Sequence, residues 1–173
     1  MSDLDRLWAG WRAGYVASVS GEGTGGDAFS SPFEEIGRGD RPDSETYVVW
    51  RGEQTYAVLN AYPYTTGHLL VVPYEESAAP DDLDDATWAE LWDTVRHAVA
   101  AIQEAYHPDG VNVGFNLGRA AGAGVPGHLH VHCLPRWVGD TNFMTTVGGA
   151  RVLPETLEDT WRKLRAAWPD LSG

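Results

Sequence analysis

HLHVHCLPRW, residues 128–137, contains three histidines at alternate positions: His128, His130 and His132. Successive side chains of an extended strand point to opposite faces, so this spacing predicts that the three imidazoles share one face. The residues between them are apolar, which predicts that the opposite face is buried. The stretch therefore predicts a half-buried strand that presents imidazoles to a cleft.

Metal binding and phosphate chemistry are the two functional interpretations of these histidines. At a rise of about 3.3 Å per residue, His128 and His132 are roughly 13 Å apart along a strand. Zinc holds its ligand nitrogens at about 2.0–2.1 Å, so at most two of the three could share one ion. Satisfied histidines on a polar sheet face are the structural alternative. The pattern favours phosphate chemistry.

Length and composition predict one folded domain. The 173 residues can bury a substantial core, and they include eight tryptophans, seven tyrosines and four phenylalanines. The single cysteine excludes an intramolecular disulfide and a multi-cysteine zinc cluster. The N-terminus lacks a signal-peptide layout, and no apolar run approaches the roughly 20 residues of a membrane span. We therefore expect a cytoplasmic protein without a membrane partner.

The distribution of charge predicts a small anionic ligand. The net charge of −13 argues against a broad nucleic-acid surface. Residues 111–151 nevertheless contain Arg119, Arg136 and Arg151 beside a single acid, Asp140. This window predicts a locally anion-friendly region that suits a phosphorylated ligand.

Hydrophobic periodicity predicts an α+β fold, with about five antiparallel strands and helices packed on them. Strands are expected around Val48, up to Asn60, from His68, over residues 111–118 and at the histidine stretch. A long central helix is expected over residues 84–106, with its indoles in the core. Further helices are expected over residues 4–19 and 155–168, the latter with Pro154 in its first turn.

Residues 20–45 are rich in glycine, serine, proline and acids, which predicts a long loop or flexible arm. We expect residues 1–43, the N-terminal helix and this loop, to pack on the same domain as residues 44–173. The loop is interpreted as a linker within one domain.

The run from His128 to Leu134 fits the pattern His-φ-His-φ-His-φ-φ and resembles the histidine triad family of nucleotide-binding enzymes. Asn60, His68 and Asn116 are similar to that family's companion residues, so the likeness extends from about residue 44 to residue 137. The stretches LNAYPYTTGHLLVVP and PRWVGDTNFM look most like the bacterial diadenosine tetraphosphate phosphorylase branch.

The resemblance implies a role for each histidine. His130 would attack an α-phosphorus and form a covalent nucleotidyl-histidine, with its other ring nitrogen donating to the carbonyl oxygen of His128. His132 would bind the phosphate oxygens and stabilise charge in the transition state. His68 would support the triad from a neighbouring strand.

The resemblance also implies a nucleotide-binding set. Asn60 would bind the ribose hydroxyls, and Asn116 the phosphate or bridging oxygen. Many family members have a serine or threonine where Val125 stands, so the loop with Gly122 and Gly124 would bind phosphate through main-chain amides. Val48 and Trp50 are expected to belong to the base pocket. The implied nucleotide-binding residues are Asn60, Asn116, Gly122, Gly124, Val48 and Trp50.

The implied activity is nucleotidyl transfer on a dinucleoside polyphosphate, by phosphorolysis or hydrolysis of diadenosine tetraphosphate. The alternatives are a nucleoside phosphoramidate hydrolase and a non-catalytic nucleotide-binding regulatory module. The expected partners are an adenine-type nucleotide or dinucleoside polyphosphate, inorganic phosphate and a second copy of the chain in a homodimer.

A structural zinc ion of the family type is not expected. Zinc-binding members carry a Cys-x-x-Cys pair where this chain has Ser31-Pro32-Phe33-Glu34, and Glu76 replaces a further histidine ligand. No cofactor is firmly implied and no protein metal site is expected. A divalent metal bound together with the nucleotide remains open.

Overall fold

A computed structural model of the protein describes residues 31–140 and 154–170. The helix expected over residues 4–19 and the first part of the expected loop lie outside these residues. Among the described helices, none is long and apolar enough to cross a membrane.

A five-stranded antiparallel sheet forms the centre of the fold and confirms the predicted α+β class. Its strands are Val48–Arg51 (β1), Thr55–Leu59 (β2), Leu69–Pro73 (β3), Gly110–Gly114 (β4) and Val131–Arg136 (β5). The order across the sheet is β1-β2-β3-β5-β4. Strand β5 therefore lies between β3 and the edge strand β4, with His132 paired opposite Leu70.

The long predicted helix is confirmed as Asp85–Tyr106 (α3), which follows two short helices among the described residues. Asp84 caps its N-terminus by accepting a hydrogen bond from the amide of Thr87 at 2.7 Å. The expectation that its indoles are core is wrong for Trp92, which is 38% exposed. Trp88 is partly buried against the core.

The two short helices, Pro32–Arg38 (α1) and Asp43–Thr46 (α2), correct the prediction of a loop over residues 20–45. The Ser31 side chain accepts from the Glu34 amide at the start of α1, and Pro32 occupies the first turn. Serine followed by proline and glutamate is a helix-start signal, because the proline has no amide to leave unpaired. The loop prediction was based on the composition of residues 20–45, which does not take account of this signal.

The C-terminal helix, Leu157–Ala166 (α4), is shorter than predicted. Thr156 is its N-cap, so Pro154 precedes the helix and does not lie in its first turn. Helix α4 packs on α3 and β1. It thus belongs to the same side of the sheet as α3.

The sheet separates two hydrophobic cores. The helix-side core is formed against α3 and α4 and includes Leu91, Ile102, Leu129, Val131 and Leu164. The triad-side core is on the other face. Its buried members are Phe33, Val48, Tyr56, Val58, Leu70, Val72 and Val125. Helix α1 contributes Phe33 to this second core, and Ile36 packs against it.

Helix α1 is fixed to the sheet at several points. The Tyr56 hydroxyl donates to the carbonyl oxygen of Phe33 at 2.6 Å. The guanidinium of Arg51 donates to the carbonyl oxygens of Ile36 and Gly37 at the end of the helix. A Cβ at Gly37 would lie 2.9 Å from the Tyr56 ring, so only glycine allows this close approach. The helix therefore has a defined position beside the triad.

Candidate active site

The three triad histidines are buried and share one face, as predicted, although only His132 lies within β5. His128 and His130 lie in the chain just before the strand. The rings of His130 and His132 have their centroids 5.0 Å apart. Leu129 and Val131, between the histidines, are buried in the helix-side core. The alternation of the sequence therefore places the imidazoles together even where regular pairing has not begun.

His130 has a defined tautomer. Its Nδ1 lies 2.8 Å from the carbonyl oxygen of His128, which can only accept a hydrogen bond. Nδ1 therefore carries the proton, and Nε2 has the lone pair. Burial lowers the pKa of His130, and the repulsion that His128 would exert if both rings were protonated acts in the same direction. The hydrogen bond to the carbonyl oxygen of His128 opposes this shift. The ring is thus held neutral with a nucleophilic nitrogen.

His128 is held through both ring nitrogens. Its Nε2 donates to the carbonyl oxygen of Pro73 at 2.8 Å. Its Nδ1 then accepts from the hydroxyl of Ser31, at 2.6 Å. Burial lowers the pKa of His128 despite the nearby carboxylates of Glu76 and Glu34. His128 is therefore a neutral, fixed ring whose carbonyl oxygen orients His130.

A second chain of hydrogen bonds orients His132. The main-chain amide of Tyr64 donates to Nδ1 of His68 at 3.1 Å, and the Asn60 side-chain amide approaches the same nitrogen at 3.3 Å. Nε2 of His68 must then carry the proton, and it lies 2.9 Å from Nδ1 of His132. His132 accepts this bond and keeps its own proton on Nε2. A backbone amide thereby sets the protonation of two imidazoles.

Two aromatic rings, Phe33 and Tyr64, pack against the histidines. The Phe33 ring contacts His130 at a centroid distance of 4.9 Å and His128 at 5.5 Å. The Tyr64 ring stacks on His132 at 5.7 Å. Sequence reasoning missed both residues and Ser31, because they lie in stretches interpreted as a loop or a turn. The helix-start signal at Ser31 could have revealed Ser31 and Phe33.

The base-pocket residues are separated by the sheet. Val48 belongs to the triad-side core but has no exposed surface. Trp50 stacks on Trp168 at 5.7 Å, and Trp168 packs against the helix-side core. A β-bulge between Val48 and Trp50 changes the alternation, so Trp50 does not lie with the histidines. The structure corrects its placement.

The glycine loop is a folded turn. The Gly122 amide donates to the carbonyl oxygen of Arg119 at 3.0 Å and closes a 3₁₀ turn, so it is engaged within the loop. Gly124 is partly buried, and Val125 lies in the triad-side core, where its carbonyl oxygen accepts from the His128 amide. Asn116 is partly buried in the segment between β4 and this turn.

The predicted anion-friendly region is weaker than its sequence indicates. Arg136 pairs with Asp140 and donates to Asn112, so its charge is compensated. Arg119 is exposed in the glycine loop. Arg151 lies outside the described residues.

Comparison with known proteins identifies the family of this site. Residues 41–138 match the HIT domain, the domain of the histidine triad proteins. The chain belongs to the histidine triad family. It is 44% identical over 167 residues to the AP-4-A phosphorylase of Mycobacterium tuberculosis, which covers 95% of this chain and 85% of that protein.

Two further proteins similar to this chain are a triphosphatase and a zinc-bound family member. The bis(5'-adenosyl)-triphosphatase of Saccharomyces cerevisiae is 36% identical over 100 residues, which cover 54% of this chain and 47% of that protein. A crystal structure of a Zn-bound histidine triad family protein from Mycobacterium smegmatis superposes with a TM-score of 0.64 at 30% identity. The superposition covers 78% of this chain and 90% of that one.

The residues of this histidine triad chain do not fit a zinc site of thiolate type. At the positions of the family's two cysteine ligands and further histidine ligand, this chain has Ser31, Glu34 and Glu76. The Ser31 hydroxyl is hydrogen-bonded to Nδ1 of His128, and Nε2 of the same ring donates to the carbonyl oxygen of Pro73. The single cysteine, Cys133, is buried in the helix-side core, where burial raises its pKa to about 12. Within residues 31–140 and 154–170, no group of three or more His, Cys, Asp or Glu is arranged to hold a metal ion.

The neutral state of the triad predicts a pH-dependent stability. The pKa values of His128 and His130 are lowered from the ordinary 6.5, so the unfolded chain binds more protons than the folded chain just below that pH. The free energy of unfolding is therefore expected to fall as the pH falls from about 7.5 to about 5.5. Urea unfolding at pH values of about 7.5 and about 5.5 measures this difference in the free energy of unfolding. The variant His130→Gln should show a smaller loss, and an equal loss in parent and variant would contradict the assignment for His130.

Proposed function

We propose that the protein is a nucleotidyltransferase that acts on dinucleoside polyphosphates through a covalent nucleotidyl-histidine on His130. The observation that carries this proposal is the hydrogen bond from Nδ1 of His130 to the carbonyl oxygen of His128. It leaves the Nε2 lone pair available on a buried, neutral ring beside His132. The family and its AP-4-A phosphorylase relative support the substrate class.

The reaction has two steps at one phosphorus atom. Nε2 of His130 attacks the α-phosphorus, an N–P bond forms, and the P–O bond to the remaining nucleoside polyphosphate breaks with its electron pair on the leaving oxygen. Phosphate or water then attacks the same phosphorus and the N–P bond breaks. Diadenosine tetraphosphate would give ATP in the first step, and ADP or AMP in the second.

The remaining site residues have supporting roles in this proposal. His132, protonated at Nε2, donates to the α-phosphate oxygens as negative charge shifts in the transition state. His68 holds His132 in that tautomer. Asn60 binds the ribose hydroxyls, and in the described structure its side chain also accepts from the amide of Tyr62. Asn116 binds the phosphate or the bridging oxygen.

Product analysis tests the function. Purified protein is incubated with diadenosine tetraphosphate, with and without inorganic phosphate and with and without Mg²⁺, and the nucleotides are separated by chromatography. ADP and ATP formed only with phosphate identify phosphorolysis, which the mycobacterial relative favours. AMP and ATP identify hydrolysis, in line with the yeast triphosphatase. Cleavage of adenosine phosphoramidate alone would replace the proposal by a phosphoramidase, and no turnover of any adenylylated compound would favour a regulatory module.

We further propose that the protein is a homodimer that pairs through the edge strand β4. Within residues 31–140 and 154–170, this strand pairs on one side only, with β5. It exposes Val113 at 42% and, just beyond its end, Leu117 at 45%. An edge with exposed apolar side chains is a surface that a second chain can cover.

Light scattering tests the dimer. A mass of about twice the single-chain 18.9 kDa is expected for the parent. Val113→Lys, which places a charge on the β4 edge, should shift the mass towards that of one chain. Gln54→Lys, which adds the same charge at an exposed position between β1 and β2, serves as a control that leaves the mass unchanged. A parent mass near 18.9 kDa would refute the dimer.

A further inference from the structure

The start of α1 touches the triad through a single buried hydroxyl group. The Ser31 side chain accepts from the Glu34 amide as the N-cap of α1 and donates to Nδ1 of His128 at 2.6 Å. Its residue is 7% exposed, so water has little access to this contact. One hydroxyl thus uses both a donor and an acceptor to join a helix to an imidazole.

His128 is thereby held on three sides. Ser31 binds Nδ1, the carbonyl oxygen of Pro73 binds Nε2, and the carbonyl oxygen of Val125 accepts from the main-chain amide. The carbonyl oxygen of His128 is the acceptor for Nδ1 of His130. Any rotation of the His128 peptide therefore changes the direction in which the nucleophilic nitrogen of His130 points.

Helix α1 adds a second contact to the same pair of rings. Phe33, two residues after Ser31, packs against both His128 and His130. The helix is itself fixed by Tyr56 and Arg51, which bind its main-chain carbonyl oxygens. The position of α1 is therefore transmitted to the triad at Ser31 and at Phe33.

We propose that Ser31 is a positioning residue, which holds His128, and through its carbonyl oxygen His130, in the geometry for attack, without a metal ion. The serine hydroxyl links α1 to His128 by a hydrogen bond. This bond uses the lone pair on Nδ1 of His128, so that nitrogen is not available to a metal ion. The effect on turnover rests on the proposed function, whereas the effect on the imidazoles does not.

The test uses four variants of the full chain. Ser31→Ala removes the hydroxyl and the helix cap, while Ser31→Gly removes the hydroxyl but keeps a residue that is nearly as good an N-cap. Ser31→Thr keeps the hydroxyl and should restore the parent's behaviour. Asp84→Ala removes the N-cap of α3, on the other side of the sheet, and controls for the loss of a helix cap.

Two readouts distinguish the positioning role from a structural one. The first is a ¹H–¹⁵N NMR spectrum of the imidazoles, in which the Nδ1 proton of His130 reports its bond to the His128 carbonyl oxygen. Ser31→Ala and Ser31→Gly should speed the exchange of this proton with water at least about ten-fold, because the acceptor is less well held. Asp84→Ala should leave the exchange unchanged.

The second readout is the division of the kinetic effect between kcat and KM. In Ser31→Gly, kcat for diadenosine tetraphosphate should fall about ten- to a hundred-fold, as expected for a displaced reacting group, with KM changed less than about three-fold. Parent kcat should persist after treatment with EDTA when the chelator is removed and only Mg²⁺ is added back. If the parent shows no turnover, the NMR readout alone tests the positioning of the imidazoles.

Three results would overturn the proposal. One is a His130 proton that exchanges equally slowly in Ser31→Gly and in the parent. Another is an equal loss of kcat in Asp84→Ala and Ser31→Ala. The third is a parent that loses activity in EDTA and regains it on addition of Zn²⁺ alone, because a metal would then provide the link.

Discussion

His130→Ala is expected to lower kcat for diadenosine tetraphosphate by at least about 10⁴-fold, because it removes the group that attacks phosphorus in the first step and leaves it in the second. Nucleotide binding should persist, since the proposed ribose and phosphate contacts come from other residues. The fall in kcat therefore reports lost chemistry, provided that the variant is folded.

Two measurements and one control variant separate a loss of chemistry from a loss of binding or folding. Calorimetric titration with AMP should give a Kd within about three-fold of the parent. Rapid acid-free quenching followed by intact mass measurement should detect a nucleotidyl adduct in the parent and none in the variant. His107→Asn serves as the matched control, because His107 is an exposed helix cap with a positive φ of 45° that asparagine tolerates.

Turnover by His130→Ala close to that of the parent would contradict the nucleophile assignment. An adduct that persists in this variant would move the covalent bond to another residue. A variant that neither binds AMP nor folds would be replaced by His130→Asn, which retains a polar side chain of similar size at the buried position.

The second large effect is expected at the pair formed by His68 and His132. His132→Ala should lower kcat about 10²- to 10³-fold, the cost of removing one donor to a charged transition state. His68→Ala should cost about ten- to a hundred-fold, because it only orients the donor. The two rings lie 2.9 Å apart between Nε2 of His68 and Nδ1 of His132, so their effects are not independent.

A double-mutant cycle measures this dependence. The kcat of the variant that lacks both imidazoles should be within about two-fold of that of His132→Ala. Once His132 is absent, His68 has no donor left to orient. Strictly additive losses would show that His68 acts on the substrate by itself. His68→Asn, which can also donate to Nδ1 of His132, should recover part of the loss seen in His68→Ala.

Much of the fold was predictable because its signals are local. The periodicity of residues 85–106 predicted α3 to within one residue at its start, and the apolar runs predicted all five strands. The loop prediction over residues 20–45 was wrong where α1 forms, since composition was given more weight than the Ser31-Pro32 start signal. A β-bulge between Val48 and Trp50 places Trp50 away from the histidines. A bulge arises from the pairing between strands, so the sequence of one strand does not show it.

Some features of the candidate site were also predictable from the sequence, and others were not. The sequence alone determined that His128, His130 and His132 lie on one face, because alternation is a property of any extended chain. Which nitrogen of each ring carries the proton was decided only by the tertiary structure. The carbonyl oxygens of Pro73 and His128, the hydroxyl of Ser31 and the amide of Tyr64 fix those protons. Three of these four groups come from other parts of the chain, and an imidazole has two equivalent choices until such partners are in place.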